Sequence, residues 1–277
     1  MWKDILVYAP NDAPKLADRA VEYAANLAAR ADGHLSILSI AVETPLPNVP
    51  DIAGIREAIE QRRKVFRAEA GAFADQRRHH AAKIVEKVEA LSTLVTTGGF
   101  DDVFANYARL HDLTVIASST DDRGSAAIIN TALFASGRPL IRVPDGYSMP
   151  FAVDHIVVAW DGSVASSRAV ADAMPLLQHS KLTHIVRITD DTRSETHVSN
   201  IDLARHLTRN GVKVEVHDAS RHGLSIGRSI LREATRIQAD LLVMGGYGHS
   251  RLRETILGGA TRTMLEEAPL PVLMSHA

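Results

Sequence analysis

Ile156-Val157-Val158-Ala159-Trp160-Asp161-Gly162-Ser163 is a short apolar run that ends at once in an acid, a glycine and a helix-capping serine. Such a run, without polar alternation, suits a strand covered on both faces. Ala165 to Leu177 follows at helical spacing, and His184 to Thr189 reads as a second strand. This is a βα unit leading to a parallel neighbour. The same order occurs earlier in the chain. Ile5-Leu6-Val7-Tyr8-Ala9 stops at Pro10-Asn11-Asp12-Ala13-Pro14, Leu16 to Ala29 is helical in spacing, and Leu35 to Ile40 is the next strand. Leu113-Thr114-Val115-Ile116-Ala117 parallels Leu241-Leu242-Val243-Met244-Gly245. Each half closes on a proline-led strand, Pro139-Leu140-Ile141-Arg142-Val143 and Pro271-Val272-Leu273-Met274.

A pattern written twice sets the organisation of the chain. The predicted fold class is α/β: two Rossmann-like doubly wound domains, each with a five-stranded, mostly parallel sheet flanked by helices. The domains are expected at 1–146 and 152–277, joined by the turn-rich Pro144-Asp145-Gly146-Tyr147-Ser148-Met149-Pro150. In the second half, strands are expected near 155–160, 183–189, 212–218, 240–245 and 271–275. Helices are expected near 164–178, 199–210, 224–237 and 252–267. The offset between copies falls from 151 (Ile5 to Ile156) to 128 (Leu113 to Leu241), so the first half carries about 23 extra residues. Most lie between Asp51 and His80, at helical spacing. There Ile55, Ile59, Val65, Phe66 and Phe73 are expected to pack on the domain or its partner half. Arg62-Arg63-Lys64, Arg67, Arg77 and Arg78 are expected to form a solvated, mixed-charge face.

Composition agrees. A chain of 277 residues fits two domains of about 150 each. With 31 Lys and Arg against 33 Asp and Glu, the net charge of −2 provides no field for nucleic acid or an anionic membrane. Apolar residues at 45% and charged residues at 23% give a globular balance. The absence of cysteine excludes disulfides, thiolate nucleophiles and Cys-ligated metals. The start, Met1-Trp2-Lys3-Asp4 before a five-residue apolar run, does not read as a signal peptide. No run nears the roughly 18 apolar residues of a membrane span. A soluble, cytoplasmic protein is expected.

Thirteen histidines raise the question of a metal. His79-His80, His179 with His184, and His217 with His222 show no recognised ligand spacing, so solvated surface histidines and no metal site are expected. No catalytic residues are assigned either. G-x-S-x-G, the Walker motif and G-x-G-x-x-G after a first strand are all absent, and no Lys sits in the Gly-rich turn to neutralise a γ-phosphate. At most, weak ATP hydrolysis is expected.

Open α/β sheets bind ligands beyond the C-terminal strand ends, where strand order reverses. Two strand ends in the second half stand out: Asp161-Gly162-Ser163, and Met244-Gly245-Gly246-Tyr247-Gly248-His249-Ser250. Gly258-Gly259-Ala260-Thr261 follows, at or just before the last helix. Glycines let backbone N–H groups approach phosphate oxygens, and a helix N-terminus adds its positive end. The bland alternatives are close-packing and turn glycines, and an Asp-Gly-Ser turn that merely caps a helix.

The spacing Gly245-x-x-Gly248, nine residues, Gly258 resembles the nucleotide motif of the universal stress protein family. The stretches Tyr247 to Glu254 and Pro269 to Leu273 are similar too, over essentially all of 152–277. Over 1–146 the likeness persists in strand order, length and the proline-led last strand, so the whole resembles a tandem member with two family domains. The resemblance implies binding of ATP, with or without Mg, or a related adenine nucleotide, and a role as a nucleotide-responsive regulator in the stress response. Asp161 would contact the nucleoside, Ala159 and Ile188 would line the adenine pocket, and Met244 and Gly245 would pack along nucleoside and ribose. Gly248, Gly258, Gly259 and Ala260 would meet the phosphates through backbone N–H. Gly259 departs from the pattern, standing where binders have Ser or Thr; the missing hydroxyl removes a hydrogen bond of about 1–3 kcal/mol.

The first half lacks this apparatus. Its strand ends read Tyr8-Ala9-Pro10-Asn11-Asp12 and Ala117-Ser118-Ser119-Thr120-Asp121-Asp122-Arg123-Gly124, and Asp121 and Asp122 would repel phosphate. It reads as a degenerate copy. The resemblance further implies pairing through the last strand, either as an intrachain pseudo-dimer or as a homodimer. Two other functions fit the fold: a scaffold that binds no nucleotide, and a carrier of a small apolar ligand between the halves.

Overall fold

A computed structural model of the protein describes residues 1–43, 53–119, 123–189, 199–247 and 259–276. Packing divides the chain between Ala117 and Ser118 into two compact units.

The unit of residues 2–117 holds strands β1 (Asp4–Tyr8), β2 (His34–Glu43), β3 (Val88–Thr96) and β4 (Leu113–Ser118) in the order β3-β2-β1-β4. All the pairings are parallel, with Ile5 opposite both Leu35 and Leu113. Helix α1 (Pro14–Ala31) starts on a proline, which needs no N–H partner at that position, and buries Ala20, Ala24, Leu27 and Ala28. The extra residues of the first half form α2 (Ala53–Ala81), ahead of α3 (Phe100–Leu110). Of the apolar residues expected to pack, Ile55, Ile59, Phe66 and Phe73 are half-buried. Ala70, Ala74, Arg77 and Ala81 are buried, whereas Val65 is exposed. Small residues allow the helix to lie close, and Arg77 fills the remaining space. Its guanidinium lies 3.4 Å from the Phe73 ring centroid and pairs with Asp18 at 2.9 Å, so this cation is not part of a solvated face.

The unit of residues 118–277 holds α4 (Arg123–Ala135), β5 (Leu140–Pro144), β6 (His155–Ala159), α5 (Val164–Leu177), β7 (Leu182–Ile188), α6 (Asn200–Arg209), β8 (Val214–Ala219), α7 (Ile226–Ile237), β9 (Leu241–Gly245), α8 (Gly259–Glu267) and β10 (Val272–Ser275). Its strands run β5-β10-β9-β6-β7-β8, parallel except where β10 meets β5 antiparallel, with Leu273 opposite Ile141. Elements α4 and β5, which the repeat assigns to the first half, thus pack in the second unit. Arg142 of β5 helps hold them. It is 1% exposed, and its guanidinium donates to Ser118 Oγ at 2.6 Å, Ala268 O at 2.7 Å and Leu265 O at 3.1 Å. Those carbonyls end α8, where a cation also meets the negative end of the helix. Burial lowers the Arg142 pKa to about 10.

The helix predicted over 252–267 is seen from Gly259 to Glu267; its first seven residues lie outside the described set. No described helix is long and apolar enough to cross a membrane.

Candidate functional site

Strand β6 is the first of its half and lies between β7 and β9. The chain steps outward to β7 and β8, then returns to the other side of β6 to build β9 and β10. The switch point therefore lies at the C-terminal ends of β6 and β9. Ala159 pairs in register with Met244, and both are buried. Asp161 and Gly245 follow at the two strand exits. Ile188, also buried, ends β7 on the far side of β6. The structure thus brings Ala159, Asp161, Ile188, Met244 and Gly245 to one end of three adjacent strands.

The turn after β6 explains its sequence. Ser163 N–H donates to Asp161 Oδ1 at 2.9 Å, and Gly162 adopts φ +73°. A glycine takes that left-handed conformation without steric cost. Ser163 then caps α5, its Oγ accepting from Ser166 N–H at 3.1 Å. The bland role of the Asp-Gly-Ser turn is thus fulfilled, while Asp161 itself stays only partly buried.

Gly245 has a packing role that the motif does not reveal. A Cβ there would lie 2.5 Å from Ser166 N and 2.6 Å from Ala165 C, the backbone of the first turn of α5. Gly259 is the opposite case: among the described residues a Cβ would meet nothing within 4 Å, and the residue is exposed. Tyr247 N–H donates to Thr261 Oγ1 at 3.3 Å, which holds the first turn of α8, with Gly259 and Ala260, near the exit of β9. Gly248 and Gly258 lie outside the described residues.

Tyr247 is itself unusual, with φ +61° on a non-glycine residue. Its ring packs on Phe134 at 4.7 Å, and its hydroxyl donates to Asn130 Oδ1. Burial pushes the phenol up to about 12, so it stays a neutral donor. Trp160 turns to the α5 and α6 side, where it lines a cavity of about 250 Å³ with Val170, Leu203 and His206. Its indole Nε1 is buried without a hydrogen-bond partner among the described residues.

A second group of residues was missed by the sequence. His155, His184 and His217, on β6, β7 and β8, form one row with Glu215 beside it. His184 is buried, not a solvated surface histidine. Burial, and then His217, lower its pKa against the opposing pull of Glu215. Spacing along the chain paired His184 with His179 and His217 with His222. Strand register pairs them otherwise, since His184 lies opposite Glu215 and Val186 opposite His217. Same-face positions on consecutive parallel strands were the signal available.

The fold and this strand-end arrangement define a doubly wound α/β domain with its candidate site at the switch point. Residues 152–276 match the profile described as "Universal stress protein family". The match lies wholly in the second half of the chain. It is similar over 95% of its length to a universal stress protein, Slr1230, of Synechocystis sp., at 24% identity and covering 96% of that relative. A universal stress protein from Archaeoglobus fulgidus superposes with a TM-score of 0.69 at 17% identity, over 98% of this chain and 96% of that one. A putative universal stress protein from Pseudomonas aeruginosa gives 0.58 at 15% identity, over 99% and 93%. At such identities these structures support the fold.

Proposed function

We propose that the second half binds an adenine nucleotide, ATP with Mg foremost, at the switch point, and that binding biases the shape or partners of the protein as a nucleotide-responsive regulator. The observation that carries this reading is the partly exposed Asp161 carboxylate, at the strand end beside Met244 and Gly245, with the start of α8 held close by Tyr247 and Thr261. The donor set fits a nucleotide. Asp161 can accept from a ribose or base, and Ala159, Ile188 and Met244 offer an apolar wall. The Cβ position of Gly259, open among the described residues, leaves room for phosphate oxygens. Regulation, not turnover, suits a site without a motif lysine, and the cytoplasm would supply the ligand. We propose also that the antiparallel pairing of β5 with β10 meets the family's last-strand pairing within one chain, as an intrachain pseudo-dimer.

Calorimetry of the purified chain with Mg-ATP tests the reading. One site per chain is expected, with Asp161→Ala weakening it about tenfold or more, the worth of a hydrogen bond to a charged group. Gly259→Ser should tighten it about tenfold by restoring a hydroxyl near the phosphates. No heat and no thermal stabilisation at millimolar Mg-ATP would refute nucleotide binding and leave the scaffold reading.

A further inference from the structure

The row of histidines runs diagonally across β6, β7 and β8: His184 is in register with Val157, and His217, through Val186, with Ala159, so the row lies on the β7–β8 side of β6 and not between β6 and β9. His155 is the first residue of β6, His184 the third of β7 and His217 the fourth of β8. His155 Nδ1 and His184 Nε2 are 3.2 Å apart, and His184 Nδ1 and His217 Nε2 are 3.0 Å apart. Glu215 places one carboxylate oxygen 3.7 Å from His184 Nδ1 and the other 3.8 Å from His217 Nε2. Ligand atoms around tetrahedral zinc, at bonds of about 2.0–2.1 Å, stand about 3.3 Å from one another. Three donors from two strands are thus already spaced as the corners of one coordination sphere.

The geometry points to a metal site in which His184 Nδ1, His217 Nε2 and a Glu215 carboxylate oxygen hold one divalent first-row cation, zinc foremost, with a further position left for water. Two imidazoles and one carboxylate are borderline ligands that suit zinc better than magnesium or calcium. His155 completes the arrangement as a positioning residue. With the metal on Nδ1, His184 carries its proton on Nε2 and donates it to His155 Nδ1, the outer hydrogen bond that fixes a ligand's tautomer. Without metal, one proton between His184 Nδ1 and His217 Nε2 occupies the same gap, and the cation replaces it.

The flanking charges are consistent with this. Arg236 of α7 has Nη2 3.5 Å from His217 Nδ1, while its Nε donates to Glu233 at 2.8 Å. When His217 binds through Nε2, its proton moves to Nδ1 and Arg236 turns wholly to Glu233. The carboxylate of Glu215, 55% exposed, is free to rotate onto the cation. The metal would fasten β8, which ends the strand order, to β7. This inference is independent of the nucleotide reading, and the two fail separately.

The test is titration of the full chain, stripped with chelator and free of nucleotide, with zinc chloride in a calorimeter, followed by cobalt substitution. One zinc per chain is expected, with visible bands of low-symmetry cobalt when that ion is used. Because Glu215 is exposed, Glu215→Gln should leave the fold intact and weaken binding at least about tenfold, as should His217→Gln. His155→Ala should keep the stoichiometry and weaken binding about 10- to 100-fold. No stoichiometric uptake at roughly 100 μM zinc overturns the proposal. So does uptake that Glu215→Gln and His217→Gln both leave unchanged, since other histidines would then be the ligands.

Discussion

Gly245→Ala should damage the second unit even with no ligand present. The new Cβ would stand 2.5 Å from Ser166 N, 2.6 Å from Ala165 C and 2.9 Å from Ala165 Cβ. Ordinary contact begins near 3.5 Å, so relief needs a shift of roughly 1 Å. Two of the three atoms are backbone, which no rotamer can move. The first turn of α5 or the exit of β9 must give way, at about 2–3 kcal/mol for overpacking. A displaced Ser166 also strains its 3.1 Å cap on Ser163, adding about 1 kcal/mol. The total is about 3–4 kcal/mol. In a Trp2→Phe background, Trp160 is the remaining indole of the two, and it is buried in this unit. Urea unfolding followed at Trp160 should show its midpoint fall by about 1–2 M. Gly259→Ala is the control: among the described residues its Cβ meets nothing within 4 Å, so the midpoint should hold or rise slightly. A Gly245→Ala midpoint within about 0.2 M of the parent would refute the close approach.

Arg142→Met should cost about 3 kcal/mol, because the carbonyls of Leu265 and Ala268 lose a buried charged donor, and the same urea assay should show it; a change under about 0.5 kcal/mol would mean that α8 does not depend on this guanidinium. Asp202 accepts from the Ser199 hydroxyl and N–H in the capping box that starts α6, and those bonds, the hydroxyl first, lower its pKa. A depressed carboxylate gives its stabilisation in full above its unfolded value, near 3.9, and loses it as pH falls through the folded value. Carboxyl titration by NMR should therefore put the Asp202 midpoint below that of an ordinary aspartate, with α6 fraying only in stronger acid; a midpoint at or above the ordinary value would refute the cap.

The parallel strands were legible because a strand covered on both faces is mostly apolar, and β6 after His155, β9 and β10 carry that signature, whereas β7 interrupts it with Thr183, His184 and Arg187. The first-strand turn was legible too, since Asp161, Gly162 and Ser163 each act locally. What the chain hides depends on non-local geometry. The buried side of α2 was legible only in part, because hydrophobicity favours the exposed Val65 as much as the half-buried Phe66, whereas a close approach selects Ala70 and Ala74 and tolerates Arg77 stacked on Phe73. The destination of β5 could not be read from its apolar pattern, which suits any inner position. Arg142, a charge inside that strand, was the visible irregularity, and it reaches the end of α8. The histidine row was hidden because its members lie 29 and 33 positions apart and meet only through strand register.

Gly245 now has two explanations, and one is sufficient. Because α5 already forbids a side chain there, that glycine would be required in a domain that never met a nucleotide, and its match to the motif carries less weight than spacing alone suggested. The packing argument does not extend to Gly259, whose Cβ position is open. Among the described residues nothing stands in the way of a serine or threonine there. Asp161 sits between these cases, committed to the turn through Oδ1 and yet partly exposed at the strand end. The substitutions that speak to nucleotide binding are therefore Asp161→Ala and Gly259→Ser, which alter what a ligand would touch while sparing the packing of α5 on β9. Loss of affinity in Gly245→Ala would report a displaced α5 before it reported a lost phosphate contact.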